Sequence, residues 1–156
     1  MQYTFSANVT KVPGGMRVES QARGFTIIMD EPPSLGGTDE GMNPVEAVLC
    51  ALGSCQTIVA YAFAKSQGIN LDGFSVTLDG DLDTDGFLGK NPNVRNGFSE
   101  IRYTMNFETD SPAEDVARFA DFIESRCPVG DIIENGVPLI RSGITINDEL
   151  ADEAAA

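Results

Sequence analysis

From Ala47 to Ala64 the chain carries no charged residue, and Glu46 and Lys65 close that stretch at either end. A run of this length either crosses a bilayer or is a helix buried on nearly every side. Gly53, Ser54, Gln56, Thr57 and Tyr61 interrupt it, which favours a soluble, buried helix over a membrane span. Its start is unusually well marked. Asn43 is an N-cap residue type, Pro44 stands at the first helical position, and Glu46 falls three residues after the cap, forming a capping box. Gly68 supplies the stop. The pattern predicts a helix over residues 44–67, about 36 Å long. A chain of 156 residues can hardly cover such a helix on all sides, so a partner subunit is expected against its middle.

The flanking elements follow from apolar spacing. Tyr3, Phe5, Ala7 and Val9 share one parity and predict a strand, and Pro13-Gly14-Gly15 turns the chain into a second strand with Met16 and Val18. Phe25 to Met29 is a third strand, and residues 34–42 form a loop. Two alternating strands follow, around Phe74-Val76-Leu78 and Ile101-Tyr103-Met105-Phe107, joined by a polar connection. Ser111, Pro112 and Glu114 repeat the cap pattern ahead of a helix with the stripe Val116, Phe119, Ala120, Ile123 and Cys127. Pro128 restarts a short helix to about Glu134, and Leu139 to Ile146 is a last strand. The order βββ-α-ββ-αα-β is an α+β fold, one domain over residues 1–147, with an acidic, Ala-rich tail over 148–156 that is expected to fray.

Composition narrows the chemistry. Twenty-four acidic against 10 basic residues give a net charge of −14, which disfavours nucleic acid and anionic membrane surfaces as partners. There is no histidine, so catalytic triads and His-ligated metals are out. Three cysteines and an N-terminus without a basic-then-apolar signal point to a reducing cytoplasm, where a thiol is reactive or merely buried. Asp81, Asp83, Asp85 and Gly86 imitate the start of a calcium loop, but Pro92 holds the position that needs a bidentate Glu. An acidic, solvated hairpin accounts for them better.

The thiols are the candidates that remain. Cys55 lies in the middle of the long helix beside Gly53 and Ser54, small residues that permit a close approach by another group; it is equally readable as a small core residue. Cys127 precedes Pro128 at the N-cap of the short helix, next to Arg126, and both features favour a thiolate. It too has a plain reading, as the end of an apolar stripe. Cys50 precedes Cys55 by five residues, about 140° round the helix and roughly 7.5 Å along it, so these two cannot bridge within one helix. Cys50 is expected in the core. Arg17 follows a glycine turn and could reach over a pocket, or stand solvated at a strand end.

Leu35-Gly36-Gly37-Thr38, Gly41-Met42-Asn43-Pro44-Val45-Glu46-Ala47, Gly53-Ser54-Cys55, Gly86-Phe87-Leu88-Gly89 and Cys127-Pro128-Val129 together resemble the OsmC/Ohr family of osmotically induced and organic-hydroperoxide-resistance proteins. The resemblance runs from about Phe5 to Ile146. It implies an intertwined homodimer with two long central helices and active sites at the subunit interface. It also implies a peroxidatic Cys55, a resolving Cys127, a sulfenic acid–disulfide cycle, no bound cofactor, and an external dithiol reductant of lipoyl type. The substrate would be a small organic hydroperoxide.

Two positions depart from that pattern. Peroxide-active members carry a carboxylate directly after the capping proline, where this chain has Val45. Arg17 matches the family arginine by position, with one residue inserted in the Gly-Gly-Arg pattern. Since an Arg–carboxylate pair holds the guanidinium over the sulfur, a second function class stays open: a dimeric protein that binds or senses an apolar small molecule at its interface.

Overall fold

The structure, a computed structural model, describes residues 1–147 and the backbone of Glu149–Glu153. Strands β1 (Asn8–Lys11), β2 (Val18–Ala22) and β3 (Phe25–Met29) form an antiparallel meander. Helix α1 (Pro44–Phe63) follows, continued by a 3-10 turn over Ala64–Gln67, and Gly68 ends both with a φ of 75°. Strands β4 (Leu71–Asp81) and β5 (Glu100–Thr109) pair antiparallel, with the one-turn helix α2 (Thr84–Phe87) between them. Then come α3 (Ala113–Arg126), α4 (Pro128–Asn135), β6 (Gly143–Ile146) and β7 (Glu149–Glu153). The fold is α+β, as expected.

The capping box at α1 is complete. Asn43 Oδ1 accepts the Glu46 amide at 2.9 Å, and Glu46 Oε2 accepts the Asn43 amide at 2.8 Å. By length and composition the helix could cross a membrane, with a mean hydropathy of 1.7 over its most apolar 18 residues. Here one side of it packs on β4. Leu52, Gly53, Gln56, Val59 and Ala60 are its buried residues. Gly53 answers to a close approach: a Cβ there would stand 2.8 Å from Leu78 Cδ1 on β4. Val59, Ala60, Ala64 and Ile69 then meet Phe119 and Ile123 of α3, with Phe74, Met105 and Phe107 of the sheet partly buried against them.

The opposite face of α1 is uncovered. Cys50, Ala51, Ser54, Ile58 and Tyr61 are exposed and, at about 100° per residue, share one stripe. Ile58 is 69% exposed and Tyr61 55%. Cys50, expected in the core, is on this outward stripe instead, because five residues of helical rotation turn it away from the sheet.

Several boundaries differ from the sequence pattern. Residues 1–7 form no strand, and Tyr3 and Phe5 are exposed, since nothing in the chain covers them. Ser111 does not cap α3: its hydroxyl accepts the Asn70 amide at 3.1 Å, and Pro112 occupies the cap position without a side-chain bond. Leu139 and Ile140 lie outside β6 and are exposed. Of the segment expected to fray, Glu149–Glu153 pairs antiparallel with β6; Asp148 and residues 154–156 lie outside the described residues. The aspartates of the calcium-like motif are each engaged separately. Asp81 pairs with Arg102, Asp83 caps α2, and Asp85 faces Lys90 at 3.9 Å.

The loop that leads into α1 hangs on Asp30, which is 2% exposed. Its carboxylate accepts the Thr38 hydroxyl at 2.6 Å and the amides of Glu31, Thr38 and Glu40 at 2.8, 2.9 and 3.2 Å. Those bonds, the Thr38 hydroxyl foremost, hold its pKa well below the usual carboxylate range. A depressed carboxylate stabilises the fold above its unfolded pKa and loses that contribution as pH falls through the folded value. Asp30→Asn is therefore expected to lower the melting temperature by several degrees at pH 7 and by less at pH 3. Thermal melts at the two pH values check it.

Candidate functional site: a buried thiol pair with a polar flank

Two elements bring the thiols together. Cys55 projects from the middle of α1, half-buried, and Cys127 sits at the junction of α3 and α4, 2% exposed. The two thiols lie close enough for Cys55 to shift the titration of Cys127. Cys127 holds the N-cap of α4, its Sγ accepting the Gly130 amide at 3.3 Å. The amides of Gly130 and Val129 at this terminus do favour the thiolate, as expected, but they are outweighed. Burial, with the neighbouring Cys55 adding to it, pushes the Cys127 thiol up to about 11. Arg126 gives no help, for its guanidinium lies over the Phe122 ring, 5.6 Å from the centroid.

A polar chain that the sequence did not single out flanks the thiols. Tyr103 of β5 donates its hydroxyl to Glu124 of α3 at 2.8 Å, and the residue next to Cys55, Gln56, hydrogen-bonds to the same hydroxyl. Desolvation and then the Glu124 carboxylate push Tyr103 up to about 12. Gln56 is 2% exposed, and its carboxamide oxygen has no partner. A cavity of about 330 Å³ opens here, with Gln56, Tyr103, Glu124, Cys127, Ile133 and Glu134 in its wall. Three residues so far apart in sequence leave no local motif; only the placement of Gln56 beside Cys55 was a signal.

A second, more apolar cavity of about 560 Å³ lies at the start of α1, between Pro44, Val45, Leu49, Leu78, Phe87 and Phe98. Neither thiol is in its wall; Val45 precedes Cys55 by roughly 15 Å of helix.

Arg17 has its partner in the loop ahead of α1. Its guanidinium pairs with Glu40 at 2.5 Å, on the loop that Asp30 organises. Its Nε is buried without a partner. The carboxylate that faces Arg17 is thus Glu40, a position that matching to the capping motif did not single out.

Known proteins resemble this chain in sequence and in shape. A curated hydroperoxide reductase of Mycoplasma genitalium is 27% identical over 107 residues, covering 67% of this chain and 69% of that protein. Another from Mycoplasma pneumoniae is 23% identical over 125 residues, covering 78% and 81%. The crystal structure of an OsmC-like protein from Mycoplasma pneumoniae superposes with a TM-score of 0.74 at 20% identity, covering 86% of this chain and 89% of that one. An organic hydroperoxide resistance protein from Legionella pneumophila gives 0.60 at 20% identity, over 88% and 93%. The family model described as OsmC-like protein matches residues 37–141, well over half the chain, and so the chain belongs to the OsmC-like protein family.

Proposed function

We propose that this protein is a thiol-dependent peroxidase that reduces organic hydroperoxides. The observation that carries the proposal is the proximity of the Cys55 and Cys127 thiols within an OsmC-like fold. The Cys55 thiolate attacks the peroxide O–O bond, which breaks. An alcohol leaves, taking up a proton, and Cys55 becomes a sulfenic acid. The Cys127 thiol then condenses with it: the S–S bond forms, the S–O bond breaks, and water leaves. An external dithiol, of lipoyl type by family, returns both cysteines to thiols by two exchange steps. No bound cofactor takes part.

The environments of the thiols suit this division of labour. A Cys127 held neutral does not compete for peroxide and waits for the sulfenic acid. Arg17 is assigned to orient the peroxidatic thiolate, with Glu40 in place of the carboxylate that Val45 lacks. With Arg17 held by Glu40 in its own chain, this role is assigned within a homodimer in which the β1–β3 meander meets the partner. The exposed stripe on α1 is the other surface that such a dimer would cover. The protein is taken to work in the cytoplasm, where reduced dithiols are available.

Removing the carboxylate that steers Arg17 tests this assignment. Glu40→Gln should slow peroxide reduction on the order of tenfold, the worth of one charge-assisted hydrogen bond. Val45→Glu should recover part of that rate in the Glu40→Gln background and add little to wild type. Stopped-flow oxidation of the three variants by cumene hydroperoxide decides it. If Glu40→Gln is silent while Val45→Glu alone raises a rate no better than free cysteine, the native site is a disabled one. Binding or sensing an apolar molecule then becomes the better reading, and the apolar cavity beside Val45 favours it.

A further inference from the structure

The cavity beside Cys127 is one-sided. Cys127 belongs to its wall and Cys55 does not. Thiol–disulfide exchange is collinear: the attacking sulfur, the sulfur attacked and the leaving sulfur stand in a line. A thiolate arriving from the cavity therefore meets Cys127, the one of the two cysteines in its wall. Glu124 and Glu134 place two carboxylates in the same wall, and no basic residue accompanies them. The buried, unpartnered oxygen of Gln56 is an acceptor in that wall.

We infer that the reductant enters through this cavity, opens the Cys55–Cys127 disulfide at the Cys127 sulfur, and is selected against negative charge by the two carboxylates in the wall. The inference rests on the thiol cycle proposed above. In the first exchange a bond forms between the reductant sulfur and Cys127, the protein disulfide breaks, and Cys55 leaves as a thiolate. The second thiol of the reductant then attacks its partner sulfur, releasing Cys127 and a cyclic disulfide. The reductant loses two electrons and the protein disulfide gains them. A thiol raised by burial is a poor leaving group, which also favours expelling Cys55 first. The second step succeeds because it is intramolecular.

Diamide oxidation of the wild-type protein prepares the disulfide without any peroxide. A limiting amount of 2-mercaptoethanol, an acid quench, alkylation and peptide mass spectrometry then locate the first mixed disulfide. The expected result is mercaptoethanol on Cys127 and the alkyl group on Cys55; the reverse pattern overturns the route and leaves the cycle standing. Failure of diamide and of peroxide to form any Cys55–Cys127 disulfide overturns the cycle and the route together. Charge selection is read by comparing dithiothreitol with meso-2,3-dimercaptosuccinate, each normalised to its rate on hydroxyethyl disulfide. The dicarboxylate should be slower by roughly tenfold or more, from like-charge repulsion at close range. Glu134→Gln, which leaves the Tyr103–Glu124 bond intact, should narrow the gap. Equal normalised rates for the two dithiols on wild type overturn the charge selection.

Discussion

Cys55→Ser is expected to abolish peroxide turnover, and Cys127→Ser to leave a single round of oxidation that stops at a sulfenic acid on Cys55. The asymmetry follows from geometry. Cys127 is 2% exposed and held neutral by burial, so it cannot stand in for the attacking thiol. Cys55, half-buried at the edge between the inward and outward faces of α1, is the thiol that a peroxide can reach. With Cys127 removed, nothing in the chain condenses with the sulfenic acid, because Cys50 faces away on the same helix. A dimedone adduct on Cys55, stoichiometric in Cys127→Ser and transient in wild type, is the readout. In wild type the resolving step should also quicken as pH rises from 7 toward about 11, where the Cys127 thiol ionises.

Ile58→Asp is expected to convert a dimer to monomers and to remove activity with it. Ile58 is 69% exposed on the single chain, at the centre of a stripe whose small members, Ala51 and Ser54, allow another helix to come close. Burying an isoleucine side chain contributes about 1.5–3 kcal/mol. In a two-fold interface the residue is lost twice, and two carboxylates are brought together in its place. The dimer should weaken on the order of a thousandfold, and analytical ultracentrifugation at micromolar protein reads it. A wild-type chain that stays monomeric at the same concentration would remove the dimer, and with it the proposed role of Arg17.

What the sequence disclosed and what it hid divide along one physical line. Features written into a few neighbouring residues were legible: the Asn43-Pro44-Glu46 capping box, the Gly68 stop, and Cys127 as N-cap before Pro128 all stand where local chemistry places them. Strand alternation was similarly readable: β4 keeps the predicted parity of more and less covered residues, and β5 keeps it except at Tyr103, which is exposed. Features assembled from distant parts were not. Asp30 looks like any loop aspartate until the chain folds the amides of Glu31, Thr38 and Glu40 around it. Gln56, Tyr103 and Glu124 come from a helix, a strand and another helix, and no spacing rule joins them. Cys127 shows the competition most directly. Its neighbours argue for a low pKa, but burial by the whole fold raises it. The strand expected over Tyr3 to Ala7 misled because alternation signals a half-buried strand only if something covers its apolar face.

The central claim is that Cys55 and Cys127 make this fold a peroxidase, and stopped-flow mixing of the fully reduced protein with an organic hydroperoxide tests it most directly. The prediction is two resolved phases with cumene hydroperoxide, sulfenic acid formation at Cys55 and then disulfide closure with Cys127. A smaller rate is expected for hydrogen peroxide, since each buried CH₂ of an organic substrate contributes about 0.8 kcal/mol. Oxidation no faster than that of free cysteine, with no Cys55–Cys127 disulfide at completion, would contradict the account.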